Sequence, residues 1–336
     1  MSLTFTHETL PQRVVFAAHE MRERLPAEVA RLGSRPMVIS TRDDVLPGAA
    51  HFREVVMHVP ADVAGRARGA AAAEDVDVLV SVGGGSATGL AKAVALTTGL
   101  PIVAVPTTYA GSEATDVWGM TENGHKTTGS DRRVLPRTVV YDPSLTLTLP
   151  VDLSVASGLN ALAHCVDSMW APRADPINQA LAVEGVRALS GGLPAIVRQP
   201  QDLHGRELTL YGAHLAAVAF ASAGSGLHHK ICHVLGGMFG LPHAQTHAVV
   251  LPYVMELNAR GVPDRLADAF GPGGLARLRA EVGAPRALRD HGFREQDIPA
   301  AVEAILPVVP AGNPVPVTAG NLTALLRRAW AGEEPR

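Results

Sequence analysis

Short apolar runs alternate with stretches of helical character through the first half of the chain. The apolar runs are residues 37–40, 55–59, 78–82 and 102–105. Alanine-rich segments of helical composition, residues 61–74 and 87–98, separate the later runs. Buried strands that alternate with helices are typical of a parallel, doubly wound sheet. The pattern therefore predicts an α/β domain.

Two changes of pattern mark the end of this domain. Residues 115–120 and 138–141 are extended in character around a polar loop, residues 121–133, which predicts a hairpin-like excursion. After about residue 150 the strand pattern fades. Helical patterns follow, one from Ser154 onward and others at 180–198, 207–221, 248–258 and 322–331. We expect an α/β domain with a parallel sheet at residues 1–150 and an all-helical domain at residues 151–336.

Composition narrows the class of protein. The chain has 336 residues, 47% of them hydrophobic, which is enough for a large core in about two domains. The net charge of −3 argues against a nucleic-acid partner. Two cysteines make no disulfide framework and suit a reducing compartment. We see no signal peptide and no apolar run near the ~20 residues of a membrane span, so we expect a cytoplasmic protein without a membrane partner.

A glycine-rich turn, Gly83-Gly84-Gly85-Ser86, joins the third predicted strand to a helix. Glycine lets the backbone approach a ligand closely, and a helix N-terminus offers free N–H groups to a phosphate. The turn follows the third strand and does not match the usual G-x-G-x-x-G pattern. It therefore predicts a variant nucleotide site, with a plain tight turn as the alternative.

The end of the next predicted strand is also rich in polar groups. Thr107, Thr108 and Ser112 supply hydroxyls there. Ligands of open α/β sheets bind at the carboxyl ends of the strands. These residues are candidates for the same nucleotide site, and a polar loop without function is the alternative.

Five of the fourteen histidines lie between residues 224 and 247. They are His228, His229, His233, His243 and His247. On a helix that begins near Leu227, His229 and His233 are four residues apart and share a face. Glycines and Pro242 then allow His243 to fold back toward them. Histidine is a common metal ligand and proton carrier, so this cluster is a candidate site, although ordinary core or surface histidines remain possible.

These motifs together, in this order, resemble the iron-containing (group III) alcohol dehydrogenases over about residues 10–260. The matching segments are residues 83–86, 106–113, 142–143, 160–164 and 227–258. Within that family the chain is most similar to the maleylacetate reductases. Its threonine motif is one residue shorter than that of the metal-dependent members, Gly89 replaces an aspartate of many relatives, and Lys230 lies among the histidines. The resemblance implies a dinucleotide-binding domain followed by a helical domain, with the active site in the cleft between them.

The resemblance also implies a metal position. The family's ion is held by one aspartate and three histidines. The three histidines match His164, His229 and His243 here. The aspartate position is Asn160, whose neutral amide is a poor ligand for a divalent cation. Three imidazoles could still hold zinc. Our hypothesis is that the protein has kept the histidines and does not require a metal.

The implied reaction is reduction of the carbon–carbon double bond of maleylacetate, a dicarboxylate formed in the degradation of aromatic compounds, to 3-oxoadipate. NADH or NADPH would donate the hydride. We expect His229, Lys230 and His243 to bind the substrate and stabilise the developing enolate, with Asn160 and His164 orienting them. His233 is a candidate proton donor, and we expect His228 and His247 to be peripheral. The alternative for Lys230 is that it points to solvent, as most lysines do.

For the cofactor, we expect Gly84, Gly85 and Ser86 to bind the pyrophosphate. Thr107, Thr108 and Ser112 would line the ribose and nicotinamide, and by resemblance Lys126 would reach the cofactor. Thr41 lies at the position that contacts the adenine-side ribose and selects between NAD and NADP. An acidic residue there would favour NAD. Arg42 follows it and predicts tolerance of NADPH, while the nearby Asp43 and Asp44 leave NADH open.

Three other functions fit the sequence less well. The first is a metal-dependent alcohol or polyol dehydrogenase of the same fold. The second is a lyase similar to dehydroquinate synthase, which would need more basic residues, and the third is a nucleotide-binding protein without activity. An edge strand near the N-terminus and the resemblance suggest a homodimer.

Overall fold

The computed structural model describes residues 4–43, 45–122, 125–260 and 268–335. The chain divides into two compact units, Leu10–Leu149 and Pro150–Arg336, and the second also includes Met1–Thr9. From the sequence we predict that residues 1–9 belong to the α/β domain. In the structure His7 of this segment instead bonds Asp175 of the helical unit, with Nδ1 and Oδ2 2.8 Å apart.

A six-stranded parallel sheet forms the centre of the α/β unit, as predicted. Its strands are β1 Arg13–Phe16, β2 Pro36–Ile39, β3 Ala50–Phe52, β4 Val78–Gly83, β5 Ile102–Pro106 and β8 Thr138–Tyr141, in the order β1-β8-β5-β4-β2-β3. Helices α1 Met21–Ala30, α2 Ala61–Ala73 and α3 Gly85–Thr98 connect them. Strands β4 and β5 are almost wholly buried, which is why both read as continuous apolar runs.

Two expectations for this unit are wrong. The run 55–59 is not a strand, because His58 and Val59 adopt left-handed backbone conformations in a turn, with φ of 64° and 50°. The excursion is a hairpin of β6 Val117–Glu122 with β7 His125–Ser130. The segment 138–141 belongs instead to the central sheet. Strand β7 is polar and was mistaken for a loop because it carries no apolar alternation.

The second unit is helical, as predicted. Its helices are α4 Val151–Ser168, α5 Pro176–Arg198, α6 Leu203–Ala223, α7 Leu227–Phe239, α8 His243–Ala259, α9 Gly274–Glu281, α10 Ile298–Ile305 and α11 Ala319–Ala331. Several begin about a turn earlier than predicted, and aspartates cap two of these, α5 and α6. Asp175 accepts hydrogen bonds from the N–H groups of Ile177 and Asn178 at the start of α5, and Asp202 caps α6.

Small residues bring α4, α5 and α6 close together. A Cβ placed on Gly185 of α5 would lie 2.7 Å from Sγ of Cys165 on α4 and 3.3 Å from the carbonyl oxygen of Gly212 on α6. By length and composition alone, α5 could cross a membrane, and half of its most apolar window is buried. Core helices of globular proteins have the same composition. This packing fixes α4, which carries part of the candidate site.

Candidate functional site

The glycine turn lies beside the loop that follows β5. Strands β4 and β5 are paired up to Gly83 and Pro106, and the N–H of Thr107 donates to the carbonyl oxygen of Gly83 at 3.0 Å. A Cβ on Gly84 would lie 2.9 Å from Cγ2 of Thr108. The N-terminus of α3 begins at this turn. The structure thus brings together the glycine turn and the threonine loop, the two parts of the predicted nucleotide site.

Buried charged residues that the sequence analysis missed support this loop. Glu113, next to Ser112, is buried and accepts a hydrogen bond from the Tyr141 hydroxyl at 2.9 Å. Burial raises the pKa of this carboxyl, while Tyr141 and Lys92 oppose the shift. Lys92, buried in α3, contacts the start of β6. A single lysine in an apolar helix was the only signal in the sequence.

The tip of β2 carries the residues that we expect to select the cofactor. Thr41 is exposed, and Nη2 of Arg42 donates to Oγ1 of Thr148 at 3.2 Å. Asp43 forms an ion pair with Arg53 at 2.6 Å, which lowers the pKa of the Asp43 carboxyl. Its carboxylate is therefore already engaged. Asp44 and the side chain of Lys126 lie outside the described residues.

His164 and the five histidines between residues 224 and 247 form one cluster in the helical unit. The rings of His164 on α4 and His229 on α7 stack with centroids 4.8 Å apart, and Phe220 of α6 packs against both at 4.7 and 4.3 Å. Both histidines are buried. Asn160, one turn before His164, is also buried, and its Oδ1 has no hydrogen-bond partner among the described residues. These three predicted residues lie in one apolar environment.

The remaining predicted residues extend the cluster toward solvent. The ring centroid of His233 lies 6.0 Å from that of His229 and 6.4 Å from that of His243, and both His233 and His243 are exposed in this chain. Lys230 is half-buried next to His229. Exposed imidazoles beside a buried pair are suited to exchange protons with a ligand or with water.

His228 and His247 lie inside the cluster, contrary to the expectation that they are peripheral. Both are fully buried, and Nε2 of His228 is 3.0 Å from Nδ1 of His247. Sγ of Cys232 lies 3.6 Å from the same Nε2. No sequence pattern distinguishes these histidines from the others, since all five lie within one segment.

Burial determines the charge of the inner histidines. It lowers the pKa of His164 to about 4. It also lowers the pKa values of His228, His229 and His247 well below the ordinary value, and the neighbouring imidazoles add to the effect. These rings are therefore neutral near pH 7, so that positive charge for an anionic ligand must come from elsewhere, with Lys230 the nearest candidate.

Asp167 is a further candidate residue of this site that the sequence analysis overlooked. It lies three residues after His164 on α4 and is fully buried. Its Oδ2 is 2.7 Å from Nδ1 of His229. A single acidic residue in an apolar helix gave no spacing pattern that would link it to a histidine on another helix.

The residues that match the family's metal ligands do not fit an ion as they are placed. In the part of the chain that the structure describes, His164, His229 and His243 do not form a group whose ligand atoms all lie within 4.8 Å of one another. Asn160 adds a neutral amide where a carboxylate would lie. Among the described residues, the group of three whose ligand atoms lie within 4.8 Å of one another is His228, Cys232 and His247.

Comparisons with known proteins agree with this fold. Residues 11–143 match the profile of the family "Iron-containing alcohol dehydrogenase", and residues 154–272 match "Fe-containing alcohol dehydrogenase family, C-terminal". The maleylacetate reductase of Pseudomonas knackmussii is 44% identical, with 99% of each chain covered.

Solved structures with similar sequences also have a similar fold. An iron-containing alcohol dehydrogenase from Corynebacterium glutamicum is 56% identical with a TM-score of 0.96, covering 100% of this chain and 99% of that one. The maleylacetate reductase of Rhizobium sp. strain MTP-10005 is 42% identical with a TM-score of 0.93, with 99% of each chain covered.

Proposed function

This chain belongs to the iron-containing alcohol dehydrogenase family, and from that premise we propose that it reduces the carbon–carbon double bond of maleylacetate to give 3-oxoadipate, in the degradation of aromatic compounds. It is an oxidoreductase. The observation that carries the proposal is its match, over nearly the whole of both chains, to proteins named maleylacetate reductase. The histidine cluster with Asn160 in the aspartate position supports it.

NADH or NADPH is the proposed hydride donor. The N–H groups at the start of α3 bind the pyrophosphate through Gly84, Gly85 and Ser86. Thr107, Thr108 and Ser112 contact the ribose and nicotinamide, with Thr41 near the adenine-side ribose. The structure supports this because Gly84 has no room for a Cβ beside the Thr108 side chain, and both loops follow paired strands, β4 and β5, at one edge of the sheet.

The chemistry requires positive charge and a proton. Hydride addition to one alkene carbon leaves negative charge on the ketone oxygen, and the other carbon must then take a proton. Lys230 supplies the charge for the enolate and for the substrate carboxylates, because the inner histidines are neutral. His243 and His233, which are exposed, bind substrate and deliver the proton, while Asn160, His164 and His229 form the buried wall.

A required metal is not part of this proposal. The support is that a neutral Asn160 stands where the family has an anionic ligand, and that His164, His229 and His243 are not a group of described residues whose ligand atoms all lie within 4.8 Å of one another. No step above uses a metal.

A homodimer in the cytoplasm is also proposed. β1 is an edge strand of the sheet, and its Val14 and Phe16 are 40% and 41% exposed. An exposed apolar edge strand is favourable for pairing with a second copy. Sedimentation equilibrium that gives only the monomer mass at micromolar concentration would contradict this.

The deciding experiment measures NADH oxidation by the purified protein with maleylacetate, after exhaustive chelation. We expect turnover that the chelator does not change. Turnover only after adding iron or zinc would overturn the metal-independent mechanism. Absence of maleylacetate turnover in every condition, with turnover of an alcohol when metal is present, would replace the proposal with a metal-dependent alcohol dehydrogenase.

A further inference from the structure

The N-terminus of α7 is capped by a carboxylate from another helix. Its N-cap residue is Gly226, which has no side chain to accept hydrogen bonds from the first turn. Asp167 accepts them instead, from the N–H groups of Gly226 at 3.1 Å, His228 at 3.2 Å and His229 at 3.1 Å. Burial raises the pKa of the Asp167 carboxyl, and these donors, with the positive end of the helix, oppose that shift and favour the ionised form.

The same carboxylate also binds the side chain of His229. Oδ2 of Asp167 is 2.7 Å from Nδ1 of the ring, and both groups are buried. Trp170 adds a further N–H donor to Oδ1 at 3.2 Å. Backbone and indole N–H groups can only donate, so Asp167 is an acceptor throughout. The proton between Asp167 and His229 therefore lies on Nδ1, by the logic of the hydrogen-bond network.

The other nitrogen of His229 is thereby selected for chemistry. Nε2 is buried and has no hydrogen-bond partner among the described residues. His164 stacks on the ring and Phe220 packs against it, so the ring cannot readily turn. With Nδ1 held by the carboxylate, Nε2 presents its lone pair in one fixed direction.

We propose that Asp167 is a positioning residue that fixes the tautomer and orientation of His229, so that Nε2 is the atom that meets the substrate. This assignment rests on the proposed function for its kinetic consequence. Asp167 does not touch the substrate. It acts through His229, and it couples that ring to the start of α7, which carries Lys230 and His233 as well.

Gly226 is part of the same arrangement. A Cβ built on Gly226 would collide with Oδ1 of Asp167. Its φ of −88° is accessible to any residue, so the backbone itself does not require glycine. Glycine is required because the Asp167 carboxylate occupies the space that a Cβ would need. Gly226→Ala is therefore a way to displace Asp167 without removing its charge.

The chain contains a matched control in Asp175. It is buried, it caps α5 through the N–H groups of Ile177 at 2.8 Å and Asn178 at 2.9 Å, and its Oδ2 lies 2.8 Å from Nδ1 of His7. Asp175→Asn changes the same kind of cap and the same kind of histidine contact away from the cluster. Comparison of Asp167→Asn with Asp175→Asn separates positioning from helix capping.

The direct test is nitrogen NMR of the substrate-free protein labelled in its histidines, with the His229 signals assigned from His229→Gln. In the wild type we expect Nδ1 protonated and Nε2 unprotonated. Asp167→Asn should reverse this, because its amide N–H would donate to Nδ1. Asp175→Asn should leave it unchanged. A wild-type His229 protonated on Nε2, or the same tautomer in Asp167→Asn, would overturn the proposal.

The kinetic test uses NADH and maleylacetate. For Asp167→Asn we expect kcat to fall about 10²- to 10⁴-fold with little change in KM, a loss of the size that a reversed histidine tautomer causes in an active site. Gly226→Ala should lower kcat in the same way, and Asp175→Asn should not. Equal loss in Asp167→Asn and Asp175→Asn would overturn the assignment. If the wild type fails to reduce maleylacetate, the proposed function fails, and the NMR result still decides the tautomer.

Discussion

The side-chain nitrogen of Lys92 lies 2.8 Å from the carbonyl oxygen of Thr115. It also contacts the carbonyl oxygen of Val117 at 2.8 Å, and so joins α3 to the start of the β6–β7 hairpin. Lys92 is fully buried, and burial lowers its pKa to about 7, against the opposing charges of Glu113 and Asp116. This contact fixes the segment that follows Ser112.

Replacement of Lys92 by Met should destabilise the protein. The carbonyl oxygen of Thr115, in a buried hydrogen bond, and that of Val117, in a partly buried one, would lose their donor, which typically costs about 2–3 kcal/mol of unfolding free energy. Urea denaturation of Lys92→Met and of the control Lys230→Met gives the comparison. An unfolding free energy of Lys92→Met equal to that of the wild type would show that the contact adds no stability.

The same lysine should make stability depend on pH. Its folded pKa, about 7, lies below the ordinary value of 10.5, so between these pH values the unfolded chain holds more protons. Stability from this group therefore rises as pH increases from about 7 to 10. Unfolding free energies measured over this range should rise in the wild type relative to Lys92→Met. A constant difference between the two proteins would contradict the shifted pKa.

Replacement of Gly84 by Ala should weaken cofactor binding. The backbone of Gly84, with φ of −81°, accepts alanine, but the new Cβ would lie 2.9 Å from Cγ2 of Thr108. We expect the KM for NADH to rise about tenfold, equal to roughly 1.4 kcal/mol of lost binding. The control is Gly69→Ala in α2, where a Cβ meets nothing within 4 Å. An unchanged KM for NADH in Gly84→Ala would remove this turn from the proposed site.

Replacement of Asn160 by Asp should create an affinity for divalent ions. The carboxylate would restore the anionic ligand that the family uses beside His164, His229 and His243. We expect zinc to bind to Asn160→Asp at about stoichiometric amounts after dialysis, as read by elemental analysis, with Asn160→Ala as the control. If the wild type already retains zinc equally well, the amide does not prevent binding.

Arg42 should contribute to NADPH binding. Its Nη2 lies 3.3 Å from the carbonyl oxygen of Leu145, at the tip of β2, and the nearby acid Asp43 is engaged by Arg53. Arg42→Ala should raise the KM for NADPH about tenfold, the loss of one charge-assisted contact, and leave that for NADH nearly unchanged. Arg24→Ala, an exposed helix arginine, is the control. Equal changes for both cofactors would assign Arg42 a structural role only.

The sequence predicted the parallel sheet because β4 and β5 are buried on both faces and read as unbroken apolar runs. The prediction failed where the polarity of a segment does not correspond to its secondary structure. Val56 and Met57 are apolar but lie exposed in a turn, 39% and 69%, so their apolarity did not indicate a strand. Strand β7 has no apolar face to detect.

Prediction of the site was limited in a different way. His229 and His233 could be placed on one face of a helix, because their spacing is local. The contact of Asp167 with His229 spans 62 positions and depends on how α4 meets α7. No local pattern encodes such a contact. The buried hydrogen bond between His228 and His247 was missed for the same reason.

The collision between a side chain at position 226 and the carboxylate of Asp167 has a consequence for how related sequences can diverge. A residue larger than glycine can enter position 226 only after the acid at 167 has been lost or shortened, and the acid is of use to α7 only while position 226 has no side chain. We therefore expect the two positions to evolve as one unit, with single changes at either one selected against and paired changes tolerated.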